Sequence, residues 1–544
     1  MKNMILIVAA VVMMTGACKN KPETTEVAES EYKGMVNKYA EVTLEADISH
    51  LSPNEKEMLK IMFEIADIMD ELFWIQSYGD KDELLAKVED EDAKKFVMIN
   101  YGPWDRLDNM TSFIEGIGEK PEGANFYPAD MTKEEFEAWD NKDKASLYTM
   151  IRRDENGQLV AIWFHEFFKE QIAKAVELMK KAAELADDPG LKNYLLKRAD
   201  AMLTDNYFES DMAWMDMKTS NIDFIAGPIE NYEDGLFGYK AAYEAFILIK
   251  DIEWSAKLEK FAKMLPDLQK GLPVDAKYKA EMPGADSDMN VYQAVYYAGD
   301  CNSGSKTIAI NLPNDEKVHL KKGTRKLQLK NSMQAKFDKI LVPISNILIA
   351  EEQRKHIKFD AFFENVMFHE VAHGMGVKTV IGTKNSVRNA LKEAYSPIEE
   401  AKADIMGLYL VFKLYEMGEL NSGEIMDNFV TFVAGIFRSV RFGASSAHGK
   451  ANMMRFNYFL DQGAIERRSD GTYFVNFEKM KDAMNSSVAM ILTIQGDGDY
   501  AKAVELIENE GIIKEQLQKD LDRIAAENVP VDIVFKKGPS YLKL

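Results

Sequence analysis

The sequence predicts a mainly α chain with a smaller β portion, an α+β protein folded as two lobes. Three observations predict this. Most of the chain has helical periodicity: "DEDAKKFVMINY", "EQIAKAVELMKKAAELA" and "GLKNYLLKRADAMLTDNYF" set charged and apolar faces at spacings of three and four. The texture changes between about residues 291 and 348. There "KTIAINLPNDEKVHLKKGTRKLQLKN" carries short alternating, β-branched runs broken by Pro313, Asn314 and Gly323, which read as two or three strands. Finally, 544 residues exceed the usual size of one core, and a 46% hydrophobic fraction supports a globular chain.

Taken in order, residues 1–18 read "MKNMILIVAAVVMMTGAC": a lysine, an apolar run too short to span a bilayer comfortably, then small residues and Cys18. This resembles a bacterial lipoprotein signal, with Thr15 where a Leu is usual; an ordinary secretory signal is the alternative. The resemblance implies lipid on Cys18 and a place in the cell envelope, membrane-anchored and facing the periplasm or the surface. Residues 19–35 are polar and read as a flexible tether. Residues 36–250 form a mostly helical N-terminal part of a mixed lobe, with a turn at "DDPG". Residues 251–544 form the second part, including the strands near 291–348. Helices resume at about Phe359 and run to about Glu527, and "VPVDIVFKK" adds a final strand.

The net charge of −22 argues against nucleic acid, which demands a basic surface. The chain has two cysteines. With Cys18 lipidated, Cys301 has no partner, so it reads as a small buried hydrophobe.

Only seven histidines occur, yet two stand four apart in "FDAFFENVMFHEVAHGMG". The apolar Phe362, Phe363, Val366, Met367, Val371 and Ala372 place this stretch on a buried helix, ended by Gly374 and Gly376. His369 and His373 then share a face one turn apart, a spacing that can hold one Zn²⁺. Glu370 is rotated about 100° from His369, placed to polarise a metal-bound water rather than to ligate.

Two imidazoles need a third ligand. "SPIEEAKADIMGLYLVFKLYEMG" supplies candidates. Ser396 as N-cap, Pro397 at N1 and Glu399 at N3 predict a helix start with a capping box. Glu400 and Asp404 are four apart on one face. One can ligate while the other accepts the N–H of a ligating histidine. Glu399 is open between capping and orienting a ligand. Gly407 permits close helix approach.

"HEVAHG" followed by "EEAKAD" resembles the dipeptidyl peptidase III family of zinc exopeptidases, in the branch with a five-residue first motif. The resemblance implies one Zn²⁺ on His369, His373 and Glu400, with Glu370 as general base and Glu399 and Asp404 behind the histidines. "DFIAGPIENYEDGLFGYKAAYEAF" resembles the family's segment lining the cleft, so Asp223 would pair with the substrate ammonium. "INLPN" resembles its substrate strand, so Asn311 and Asn314 would hold the peptide backbone and N-terminus. "RFGASSAHGKANMMRF" resembles its helix bearing a catalytic histidine, which implies that His448 stabilises the oxyanion with Arg455 near the substrate. Ile225 stands where the family has a tyrosine, and His448 and Arg455 are seven apart where four is common.

The expected site is a wide cleft between a helical zinc lobe and the mixed lobe. The implied activity is removal of dipeptides from the free N-terminus of oligopeptides. A zinc endopeptidase or aminopeptidase, or a non-catalytic peptide-binding lipoprotein, are the alternatives. The sequence gives no oligomeric state.

Overall fold

The computed structural model describes residues 30–283 and 287–544. The leader, Cys18 and the tether to residue 29 lie outside them. The last part of the expected tether is not extended. Glu31–Val36 form a helix whose N-cap, Ser30, accepts from the Tyr32 N–H, with Glu31 on the favourable end of the dipole.

The first lobe starts with strand β1 (Tyr39–Thr43) and helix α1 (Pro53–Ser77). Ser52 and Glu55 start α1 by capping each other: Ser52 Oγ accepts from Glu55 N–H at 3.1 Å, and Glu55 Oε2 from Ser52 N–H at 2.8 Å. Its apolar stripe of Met58, Met62, Ile65, Met69 and Leu72 is fully buried. Helix α2 (Lys169–Leu185) packs on it, α3 (Pro189–Met202) packs on α2, and α4 (Phe208–Asp216) packs on α3. The "DDPG" turn works as a helix start, because Asp188 caps α3 at Leu191 N–H (2.8 Å) and Pro189 opens it.

Strands β2 (Ile222–Glu230) and β3 (Ala242–Lys250) follow as an antiparallel pair. They add a β portion to residues 36–250, whose regular elements are otherwise mainly helices. Both strands are buried along almost their whole length, so their sequences are continuous apolar runs without the alternation that marks a half-exposed strand.

The expected strands lie at β4 (Ser287–Gly299), β5 (Ala309–Leu312) and β6 (Thr324–Leu329), while residues 330–348 are helical. The five strands form one sheet in the order β2-β3-β4-β6-β5, antiparallel except for β4 beside β6, with β5 at one edge.

The second lobe is built of α5 (Phe359–His373), α6 (Tyr395–Glu416), α7 (Ile425–Val440), α8 (Ala447–Asp461) and α9 (Phe477–Asp497). Strand β7 (Asp532–Lys536) then returns to pair in parallel with β1.

Two hydrophobic cores result, and they do not divide at residue 250. Tyr292, Leu327 and Leu329 belong to the first core, Val291 to the second. Successive side chains of a strand face opposite sides, so the sheet completes the first lobe and roofs the second. Leu542 also lies in the first core. The chain therefore crosses between lobes several times, because a sheet takes strands from wherever they complete its pairing. Cys301 is free and buried, and burial pushes its thiol pKa well up. Among the described residues no helix is long and apolar enough to cross a membrane.

Candidate metal centre

Helix α5 is buried on nearly all sides, with Phe362, Phe363, Met367 and Phe368 in the second core. It ends at His373 with Gly374 as C-cap. Helix α6 lies against it. A Cβ on Gly407 would stand 2.7 Å from His369 N and 2.9 Å from Phe368 C, so only glycine allows this approach.

The start of α6 differs from the expectation. The helix opens at Tyr395, directly after a 3₁₀ turn at Lys392–Ala394, and no side chain caps it. The preceding turn delivers the backbone already in helical conformation, so Ser396 sits inside the first turn. Glu399 is thereby freed from capping. Its Oε1 accepts from His373 Nδ1–H at 2.9 Å and pairs with Lys402 Nζ at 2.7 Å, and its Oε2 accepts from Gln495 Nε2 at 3.0 Å. Asp404 makes the matching bond to His369 Nδ1 and is itself paired with Arg455.

With Nδ1 of each imidazole committed to a carboxylate, both Nε2 lone pairs are left for a metal. Both lie near one oxygen. Glu400 Oε2 lies 3.3 Å from His369 Nε2, 3.7 Å from His373 Nε2 and 3.0 Å from His448 Nε2. That oxygen is buried, and no donor is aligned to bond to it. Ligands at 2.0–2.1 Å from a tetrahedral zinc stand about 3.3 Å apart. The His369 distance matches that edge and the His373 distance is wider. The ligand atoms that gather within 4.8 Å of one another are those of His369, Glu400 and His448, with His373 beside the same oxygen, so the donor chemistry suits a His/Glu zinc site. Burial would lower the His369 pKa, but Asp404 and Glu400 lift it to about 10. Burial would raise the Glu400 carboxyl, but His369 and His448 hold it well below the usual range. A field that holds a proton so strongly also favours a dication.

Glu370 points away from this cluster. Its Oε2 pairs with Lys326 Nζ of β6 at 2.8 Å, and the same ammonium donates to its backbone carbonyl at 3.2 Å. Burial alone would raise the Glu370 pKa, but Lys326 and His369 bring it below the ordinary value. His448 is the exposed member of the set, with 63% of its side chain accessible. It stands at the N-terminus of α8, where Ser446 caps the helix.

The substrate residues implied by resemblance divide. Asn311 is exposed on edge strand β5, directly opposite Lys326. Opposed residues share a face, so Asn311 is presented on the Glu370 side. Asn314 is exposed just beyond, donating to Ile229 O at 3.2 Å. Asp223 is not available to a substrate. It is fully buried, accepting from Trp214 Nε1 at 2.8 Å, Arg325 Nη2 at 3.0 Å and Tyr292 OH at 3.3 Å. Tyr292 lies in the first core, so Asp223 faces that core and not the cleft. Ile225, two residues on, is buried likewise. Arg455 is 2% exposed and spent on Asp404, so it supports the metal centre rather than substrate.

Sequence reasoning missed Lys326, Lys402 and Gln495. Lys402 left one signal, as a lysine on the buried stretch of α6 three residues after Glu399. The other two come from elements distant in sequence and left none.

Two imidazoles and a carboxylate on adjoining buried helices, with a lysine-paired glutamate next to the first histidine and a strand edge above, define a metallopeptidase. Comparison with known proteins agrees. The Peptidase family M49 pattern matches residues 128–385. Nudix hydrolase 3 of Arabidopsis thaliana is 36% identical over 574 residues, covering 94% of this chain and 74% of that protein. The structure of DPP III from Caldithrix abyssi superposes with a TM-score of 0.87 at 42% identity, covering 93% of this chain and 98% of that one. Dipeptidyl-peptidase III from Corallococcus sp. strain EGB gives 0.74 at 38%, covering 93% and 96%. The chain belongs to peptidase family M49.

Proposed function

We propose that this chain is a zinc-dependent dipeptidyl peptidase acting on oligopeptides with a free N-terminus. The observation that carries the reading is the approach of the His369 and His373 Nε2 atoms to the Glu400 carboxylate, next to Glu370, which Lys326 holds. His369, His373 and Glu400 would hold the zinc, which supplies a Lewis acid for the attacking water and the scissile carbonyl.

The chain's own residues do the rest. Asp404 and Glu399 fix the tautomers and planes of the two imidazoles. The Glu370 carboxylate takes the proton of the attacking water at Oε and passes it to the leaving amine. Lys326, bonded to Glu370 here, keeps that carboxylate ionised and in place. His448 offers an N–H to the developing oxyanion. Asn311 and Asn314, at the edge of β5, hold the substrate backbone and amine, and so set where cleavage falls.

Glu370→Ala should keep one zinc per chain by elemental analysis and lose dipeptide release, read by mass spectrometry on a set of peptides of mixed length. Zinc-loaded wild-type protein that cuts nothing would sink the proposal. Products of one residue, or internal cuts, would favour the aminopeptidase or endopeptidase alternative. For the leader, we propose an envelope lipoprotein anchored through Cys18. Cys18→Ser should move the protein from the membrane to the soluble fraction, and an unchanged distribution would reject the anchor.

A further inference from the structure

Helix α7 crosses behind α5, and between them lies a cavity of about 250 Å³ bounded by Ile308, Ala309, Val366, Glu370, Arg438 and His448. Phe362 also lines it, with its ring centroid 5.6 Å from the Arg438 guanidinium. Among the described residues Arg438 makes no ion pair, and its Nε is buried without a hydrogen-bond partner. The nearest acid is already committed. Asp532 pairs with Lys336 at 3.0 Å and accepts from Ser305 Oγ at 2.7 Å and Lys306 N–H at 3.2 Å. Lys336 and Arg441 add further positive charge beside Arg438. Burial pulls the Arg438 pKa down, as expected for a cation lacking a counter-charge. In a chain of net charge −22, a half-buried guanidinium without an ion-pair partner, lining the same cavity as Glu370, needs a reason.

The strand edge supplies one. β5 runs from Ala309 towards Leu312, so its start borders the cavity while Asn311 and Asn314 mark its end. A peptide whose amine sits at Asn311 and Asn314 must run antiparallel along β5. It then passes Glu370 and enters the cavity. Five residue steps from Asn314 back to Ala309 span roughly 16 Å, or four to five residues of extended peptide. The cavity is smaller than the ~300–1,000 Å³ of drug-sized sites, which suits the end of a short peptide.

We propose that Arg438 anchors a carboxylate on the leaving-group side of the substrate, so that this cavity prefers a terminal carboxylate or an acidic side chain there to its neutral counterpart. This rests on the peptidase reading above. Arg suits the task because its planar fork matches a carboxylate in two hydrogen bonds.

The test is calorimetric binding to the zinc-loaded full chain carrying Glu370→Gln, which stops turnover. The probes are a tetrapeptide and a pentapeptide, each as free acid and as amide, and amidated peptides with Glu or Gln at the fourth residue. At least one acid should bind on the order of 10-fold tighter than its neutral partner, as a charge-assisted bond would give. Preference in the free-acid pairs assigns the terminal carboxylate; preference in the Glu/Gln pair assigns the side chain. Adding Arg438→Gln should erase the preference and leave amide affinity unchanged, while Arg438→Lys should retain part of it. Equal affinities with Arg438 in place, or a preference that survives Arg438→Gln, overturns the assignment while leaving the peptidase reading intact. Failure of every peptide to bind removes the peptidase reading, and this subsite with it.

Discussion

Gly407→Ala tests whether the metal centre depends on how closely two helices approach. The added Cβ would lie 2.7 Å from His369 N, 2.9 Å from Phe368 C and 3.0 Å from His369 Cα. These are backbone atoms of a buried helix, so no side chain can swing aside. Ordinary contact begins at 3.4 Å, so α5 and α6 must part by 3.4 − 2.7, about 0.7 Å, at their crossing. The parting carries His369 away from Glu400 and Asp404, which stand seven and three residues before Gly407 on α6. Metal sites tolerate about 0.2 Å in ligand distance, so zinc affinity should fall roughly 10- to 100-fold, the usual cost of disturbing a ligand's supporting partner. Stability of the metal-free protein should fall by about 1–3 kcal/mol for overpacking, partly offset by the gain of up to ~1 kcal/mol from replacing a helical glycine. Gly435→Ala on α7 is the control, since its Cβ would meet nothing within 4 Å; it should be neutral or slightly stabilising. Competition against a chromophoric chelator reads the affinity, and thermal unfolding of metal-free protein reads the stability. A Gly407→Ala protein with wild-type zinc affinity and wild-type unfolding temperature would refute the reasoning.

Two further expectations come from buried charges. Asp223→Ala removes the acid shared by Arg325 and Trp214, so it should cost about 3–5 kcal/mol of stability. KM should change equally for peptides with free and blocked N-termini; a selective rise for the free form would return Asp223 to the substrate site. Lys306 is 4% exposed, and burial pushes its pKa down to about 7. Between pH 7 and about 10 the unfolded chain holds a proton there that the folded chain has lost, so this group makes stability rise with pH across that window. Lys306→Met should therefore flatten the pH dependence of chemical unfolding there and stabilise the protein most at or below pH 7. An unchanged slope would show that Lys306 is neutral in neither state.

The chemistry of the centre was far more legible in the sequence than its supports. A ligand pair on one helix is a matter of spacing: residues four apart share a face, so His369 with His373 and Glu400 with Asp404 could be read directly. The capping box at Ser396 was misread because its pattern is local, whereas the actual helix start is set by the turn before it. Lys326 and Gln495 reach the site from a strand and a helix far away in the chain, and no local pattern encodes that.

Asp223 shows why family position and physical position can part company. In a half-exposed strand, alternation tells which residues face solvent. In β2 both faces are buried, so the sequence offers no such guide, and a one-residue change of face exchanges cleft for core. The surroundings of Asp223 settle its direction: a tryptophan N–H, a tyrosine hydroxyl and a guanidinium already engage both its oxygens. A substrate ammonium arriving there would have to displace Arg325, a buried cation that would then lack its acid. Asn311 is exposed on an edge strand whose outer side is unpaired among the described residues, and Asn314 is exposed just beyond it, bonded to Ile229 O. On the proposed reading the peptide amine would meet Asn311, Asn314 and the Glu230 carboxylate bonded to Asn314. At the opposite end the cavity offers the Arg438 guanidinium. On that proposal the polarity of the bound peptide would be fixed from both ends: a strand edge that sets antiparallel entry and the Arg438 guanidinium that would receive the far carboxylate.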